Sequence, residues 1–109
     1  MTIAKKVGAR LTERGLWREG MRDVVGTRYK PFDIRCGLAD HATPDLTDWP
    51  TLGVLIGDIV ATMGQILITP GGKPGRTCAT AGGAGACRAE VYADSEGEAI
   101  GALWLEVMR

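Results

Sequence analysis

Apolar residues recur at helical spacing in three stretches of the chain, separated by short runs rich in β-branched residues and glycine. The clearest stretch is PDLTDWPTLGVLIGDIVATMG, residues 44–64, where Leu52, Leu55, Ile56, Ile59 and Met63 step by three and four and share one face. Asp48 can accept a backbone N–H at the helix start, and Pro50 suits the first turn, where its missing donor is not needed. Gly64 can turn left-handed and stop the helix. The chain then enters Ile66-Leu67-Ile68, part of a strand expected over residues 66–69.

A first helix follows from Thr2 as its cap and from Ile3, Val7 and Leu11 at four-residue steps, with Ala4 beside them. Gly8 weakens it, by up to about 1 kcal/mol relative to alanine, and Gly15 ends it. Leu16-Trp17 and Met21 read as hydrophobic anchors leading toward a sheet. Asp23, Val24 and Val25, then Gly26-Thr27, then residues 28–35 are expected to form a β-hairpin. Val24, Val25, Tyr29, Phe32 and Ile34 are its strand formers, and Pro31 confines the second strand to an edge or ends it early. Residues 36–43 read as loop.

After the strand at 66–69, PGGKPGRT (residues 70–77) reads as a mobile basic turn, and residues 78–80 and 88–93 as further strands. AGGAGA, residues 81–86, cannot fill a core. It is expected to be a flexible loop or a place where another backbone comes close. Ser95-x-x-Glu98 is a capping box opening a last helix over residues 96–108, whose buried face is Ile100, Leu103, Trp104 and Val107, with Gly97 and Gly101 as weak points. The order is αββαββα. The fold expected is a single α+β domain over residues 1–109, with helices packed on a mostly antiparallel sheet of three to five strands.

A chain of 109 residues can build one core without obligatory staples. No apolar run approaches the roughly 20 residues of a membrane span, and Lys5, Lys6 and Arg10 interrupt any secretory leader. Three cysteines are an odd number, which argues against a closed disulfide framework and for a reducing, cytoplasmic setting. The zero net charge is unevenly spread. Residues 1–35 carry nine Lys and Arg against Glu13, Glu19, Asp23 and Asp33, whereas residues 36–109 carry four cations against nine acids. Such asymmetry either steers an anionic partner or draws the two parts of the chain together, and the second is the simpler expectation.

Candidate chemistry is sparse. Cys36, His41, Cys78 and Cys87 are the right groups for a structural zinc site, but C-x4-H and C-x8-C are looser than compact zinc knuckles, and buried thiols also behave as small hydrophobes. A Cys78–Cys87 disulfide is a weaker alternative in a reducing compartment. GGKPGR has the composition of a phosphate cradle without the P-loop spacing or a following helix. His41 is the only imidazole, so no triad is visible, and Asp45 with Asp48 and Glu96 with Glu98 are explained by helix starts. Nothing here points to an enzyme, a cofactor or a resident metal.

Arg10, Arg14, Arg18 and Arg22 recur every four residues and would form one basic stripe if the first helix continued to residue 22. Gly15 and Gly20 argue against that continuity. Of the three tryptophans, Trp104 belongs to the core by periodicity and Trp49 can staple the chain at a helix start. Trp17, flanked by arginine and glycine, is either a core anchor or the exposed centre of a protein-binding patch.

Two segments, W-x-x-G-M at residues 17–21 and PDLTDWPTLGVLI at residues 44–56, resemble small proteins encoded by bacteriophages and prophages. The closing strand and residues 93–100 opening a helix are similar to the end of phage α-β-α sandwich domains. The resemblance covers about two thirds of the chain and rests on caps and apolar faces, and it transfers no catalytic residue. The Gly/Ala-rich stretch and the cysteine pair depart from it. It implies a non-enzymatic accessory protein of a mobile element, binding and inhibiting a host complex as anti-CRISPR proteins do. The expected contact residues are Arg14, Trp17, Arg18, Arg22, Lys73 and Arg76, with a host or phage protein as partner and a homodimer as a further option. The alternatives are a nucleic-acid-binding module using the N-terminal arginines and a small zinc-stabilised module.

Overall fold

The structure, a computed structural model, describes residues 2–71, 77–83 and 86–109. The Thr2 hydroxyl accepts the Lys5 N–H at 3.2 Å and starts α1 (Ile3–Arg14), which buries Val7 and Leu11. Gly15, at φ 65°, returns its N–H to the carbonyls of Leu11 and Thr12 and stops the helix as expected. Next come α2 (Pro31–Arg35), α3 (Trp49–Met63), β1 (Gln65–Thr69), β2 (Thr77–Gly83), β3 (Ala86–Ala93) and α4 (Glu96–Val107). The fold is α+β, with one three-stranded antiparallel sheet in the order β1-β2-β3. The chain divides into two compact units, Met1–Val54 and Leu55–Arg109.

In the first unit, α1 runs close under the backbone of residues 42–44. A Cβ on Gly8 would stand 2.4 Å from the Ala42 carbonyl oxygen, so the glycine that weakens the helix also permits this approach. The hairpin expected over residues 23–35 is shorter than its strand-forming residues suggest. Arg22 and Arg28 make a single antiparallel bridge, with the Tyr29 N–H donating to the Met21 carbonyl and the Asp23 N–H to that of Thr27. Beyond Tyr29 the chain coils into α2 instead of a strand. Pro31 is the reason: it has no N–H for a ladder and its fixed φ suits the first helical position. Asp33 completes the turn by accepting the Lys30 N–H at 2.9 Å.

The second unit is built around β2. Thr77, Ala79 and Ala81 point to its buried side, and α4 packs over β2 and β3 with Ile100, Leu103 and Trp104 buried. Small side chains on the central strand leave room for the large ones on the helix. The Trp104 indole N–H donates to Asp58 Oδ2 at 2.9 Å, so its buried polar atom is satisfied. Ser95 caps α4, accepting the Glu98 N–H at 3.2 Å. Removing a buried tryptophan typically costs about 3–5 kcal/mol and losing such a cap about 1 kcal/mol, so packing dominates this unit.

Residues 81–83 and Ala86, expected in a loop, belong to the sheet. β2 shifts register between Ala81 and Gly82, and a Cβ on Gly83 would lie 2.8 Å from the Met63 carbonyl oxygen. Gly83 thus serves a close backbone approach, the other half of the expectation. Gly53 and Gly57 in α3 have nothing within 4 Å of an added Cβ. Gly83→Ala is therefore expected to lose about 1–3 kcal/mol of stability and Gly53→Ala to gain about 0.5–1 kcal/mol. Chemical denaturation of the two variants beside the parent chain checks both signs.

Candidate functional site

In the first unit, two carboxylates organise the segment between α1 and α3. Asp23 is buried; its Oδ1 accepts the backbone N–H groups of Val25, Gly26 and Thr27 at 2.9–3.1 Å, and its Oδ2 accepts the Tyr29 hydroxyl. Burial pushes this carboxyl up, but the Tyr29 hydroxyl and the three N–H donors together outweigh it and hold it below the usual value. Burial and the same carboxylate push the Tyr29 hydroxyl up. Tyr29 in turn meets Trp17 edge-to-face, with centroids 5.4 Å apart.

Asp48 forms the second knot. Arg28 grips it with two hydrogen bonds, Nη2 to Oδ1 at 2.8 Å and Nη1 to Oδ2 at 3.1 Å, and its Nη1 also donates to the Gly20 carbonyl. The Asp48 carboxylate caps α3 by accepting the N–H and the hydroxyl of Thr51. The buried Thr51 oxygen then accepts the Arg22 N–H at 2.8 Å. The Arg28 guanidinium, with help from Thr51, holds the Asp48 carboxyl down at about 2 against the effect of burial.

This network fastens a segment that exposes large apolar side chains. Among the described residues, eight large hydrophobics are exposed, and five of them fall between Val24 and Trp49: Val24, Val25, Phe32, Leu38 and Trp49. Trp49 is 62 % exposed and Val25 87 %. Arg28, Lys30 and Arg35 lie in the same segment. Apolar anchors and cations on a segment fixed by side-chain hydrogen bonds are suited to gripping another macromolecule.

The expected contact residues are only partly brought together. Trp17 is 4 % exposed and its indole N–H donates to Thr12 Oγ1 at 3.2 Å, so it is the core anchor and not an exposed centre. Its proximity to Tyr29 explains this, because the two rings bury each other. Arg14 is exposed in the last turn of α1. Arg18 folds back, donating from Nε to the Leu16 carbonyl at 2.8 Å. Arg22 lies 3.8 Å from Asp45, too far for a hydrogen bond, and its buried Nε makes none. Lys73 and Arg76, with most of the basic turn, lie outside the described residues. The continuous arginine stripe does not form, since Gly15 ends the helix before Arg18.

Two cations of the basic stretch lie beside acids of the acidic one: Arg22 faces Asp45 and Arg28 binds Asp48. Among the described residues no three His, Cys, Asp or Glu side chains are grouped to hold a metal ion. Cys36 and Cys78 are free thiols. Cys78 pairs with Tyr92 and Cys87 with Gly82, four residues along β2 from Cys78, so roughly 13 Å of strand separates the two cysteines and no disulfide can join them. His41 adopts φ 66° beside a cleft of about 250 Å³ lined by Lys5, Ala9, Ala42 and Thr43. No described helix is long and apolar enough to cross a membrane.

Sequence reasoning placed Val24, Val25 and Phe32 in strands and Trp49 as a staple. The signal for the first two was Asp23-x-x-Gly26, the spacing of a side-chain-closed turn, which leaves two successive valines nowhere to be buried together. Comparison with protein families, curated proteins and solved structures finds no match to the chain.

The acid response follows from the two carboxylates. Both titrate below their ordinary 3.8 in the folded chain, so the stability they contribute is present above about pH 4 and is lost as pH falls toward about 2. Asp48→Asn keeps a capping side chain and removes the charge. Thermal melts from about pH 7 down to about pH 2 are expected to show a lower midpoint at neutral pH and a shallower loss on acidification than in the parent chain.

Proposed function

We propose that this protein acts by stoichiometric binding and not by catalysis, and that the segment between Val24 and Trp49 is its contact surface. The observation that carries the reading is the set of five exposed apolar side chains between Val24 and Trp49, a segment that Asp23 and the Arg28–Asp48 pair tie down. Displaying them to water costs solubility without stabilising the monomer, and a partner that covers them recovers the hydrophobic free energy. Trp49 takes the role expected of Trp17: it is exposed and follows Asp48, which Arg28 grips, and Phe32 and Val25 are exposed in the same segment. The resemblance to bacteriophage and prophage proteins supports a narrower form: an accessory protein of a mobile element that inhibits a host macromolecular complex, in the manner of anti-CRISPR proteins. The free thiols of Cys36 and Cys78 fit work in a reducing cytoplasm.

Affinity capture from bacterial lysate tests this with three chains: wild type, Trp49→Ala and Phe32→Ala. The wild type is expected to retain one partner at fixed stoichiometry. Each variant is expected to weaken that capture by ten-fold or more, since truncating a central anchor costs about 2 kcal/mol or more, while its melting point stays near that of the parent. Recovery of no partner, or undiminished capture by both variants, overturns the proposal.

A further inference from the structure

The first strand of the sheet is unlike its neighbours. Among the described residues β1 pairs only with β2, so it is an edge strand of the sheet. It reads Gln-Ile-Leu-Ile-Thr, with no charge and no proline inside it, flanked by Gly64 and Pro70. Packing thins toward it: Ala79 and Ala81 on β2 are 0 and 2 % exposed, whereas their partners Ile68 and Ile66 are only half-buried and Leu67, on the opposite face, is 64 % exposed. The other edge strand, β3, carries Arg88 and Glu90, charges of the kind that discourage edge pairing. β1 has no such guard.

We propose that β1 is a homodimerisation edge, on which the same strand of a second copy lies antiparallel to make one six-stranded sheet. Three observations choose a second copy over a foreign strand. The apolar pattern is symmetric about Leu67, so a two-fold axis there sets Ile66 opposite Ile68 of the other copy, twice, and Leu67 opposite itself. The strand is uncharged, so the two-fold brings no like charges together. Its five residues end at Gly64 and Pro70, which confines pairing to the length over which that symmetry holds. The proposal concerns the second unit alone and does not rest on the contact surface inferred for the first.

The full chain at about 100 μM, well above the dissociation constant of a modest interface, is expected to sediment at twice the chain mass. Leu67→Lys is expected to run as a monomer with an unchanged circular dichroism spectrum, because that side chain faces water. A second pair of variants reads the register, with Cys36, Cys78 and Cys87 replaced by serine. Leu67→Cys should cross-link between copies under mild oxidation. Gln65→Cys should not, since its two copies would stand roughly 13 Å apart along the strands. A wild-type monomer at that concentration overturns the proposal. So does a dimer that survives Leu67→Lys, or equal cross-linking through residues 65 and 67.

Discussion

The carboxylate of Asp48 is the point on which the first unit turns. A single group caps the opening of α3, receives both arms of the Arg28 guanidinium and orients the Thr51 hydroxyl toward the Arg22 backbone. Apolar burial around Leu52, Met21 and Leu11 supplies more free energy, but it has no direction and would accept several arrangements of a loop this long. The hydrogen bonds accept one. An aspartate suits the position because its short arm reaches the helix N–H while its two oxygens match a guanidinium fork. Thr51 is one of few polar residues fully buried here, and it is buried with both its donor and its acceptor used.

The parts of the fold that could be read in the sequence are those where a local rule and the burial pattern agree. Thr2 with Gly15, Asp48 with Gly64, and Ser95 bracket three helices whose apolar residues face inward, and all three stand where those residues put them. Misreadings arose where two local preferences compete. Val24, Val25, Tyr29, Phe32 and Ile34 favour strand, yet Asp23 bends the backbone onto its own side chain and Pro31 starts a helical turn. Alanine and glycine at 81–83 have poor strand propensity, and only their tertiary setting makes them strand. Trp17 was ambiguous for a similar reason: its covering partner, Tyr29, is twelve residues away in a segment whose path no spacing rule reveals.

The two units expose apolar surface in different forms. In the first, individual large side chains stand out from a backbone tied by the Asp23 and Asp48 carboxylates, an arrangement that offers shape and hydrogen-bonding cations. In the second, the exposed material is a strand that, among the described residues, is paired on one side, an arrangement that offers a repeating ladder. The first discriminates among partners by side chain; the second favours any segment of matching length and polarity.

Gly83 carries a last consequence. A strand made of Thr, Cys, Ala and Gly has almost no side-chain bulk with which to choose its alignment, and by pattern alone it would slide along its neighbours at little cost. The Met63 carbonyl, sitting where a methyl group would be, removes that freedom. A slip of two residues that kept the same face inward and brought Ala81 to this place would drive its Cβ into that oxygen. The sheet therefore has, besides the packing of α4, a steric gate at one end that is set by the helix preceding it.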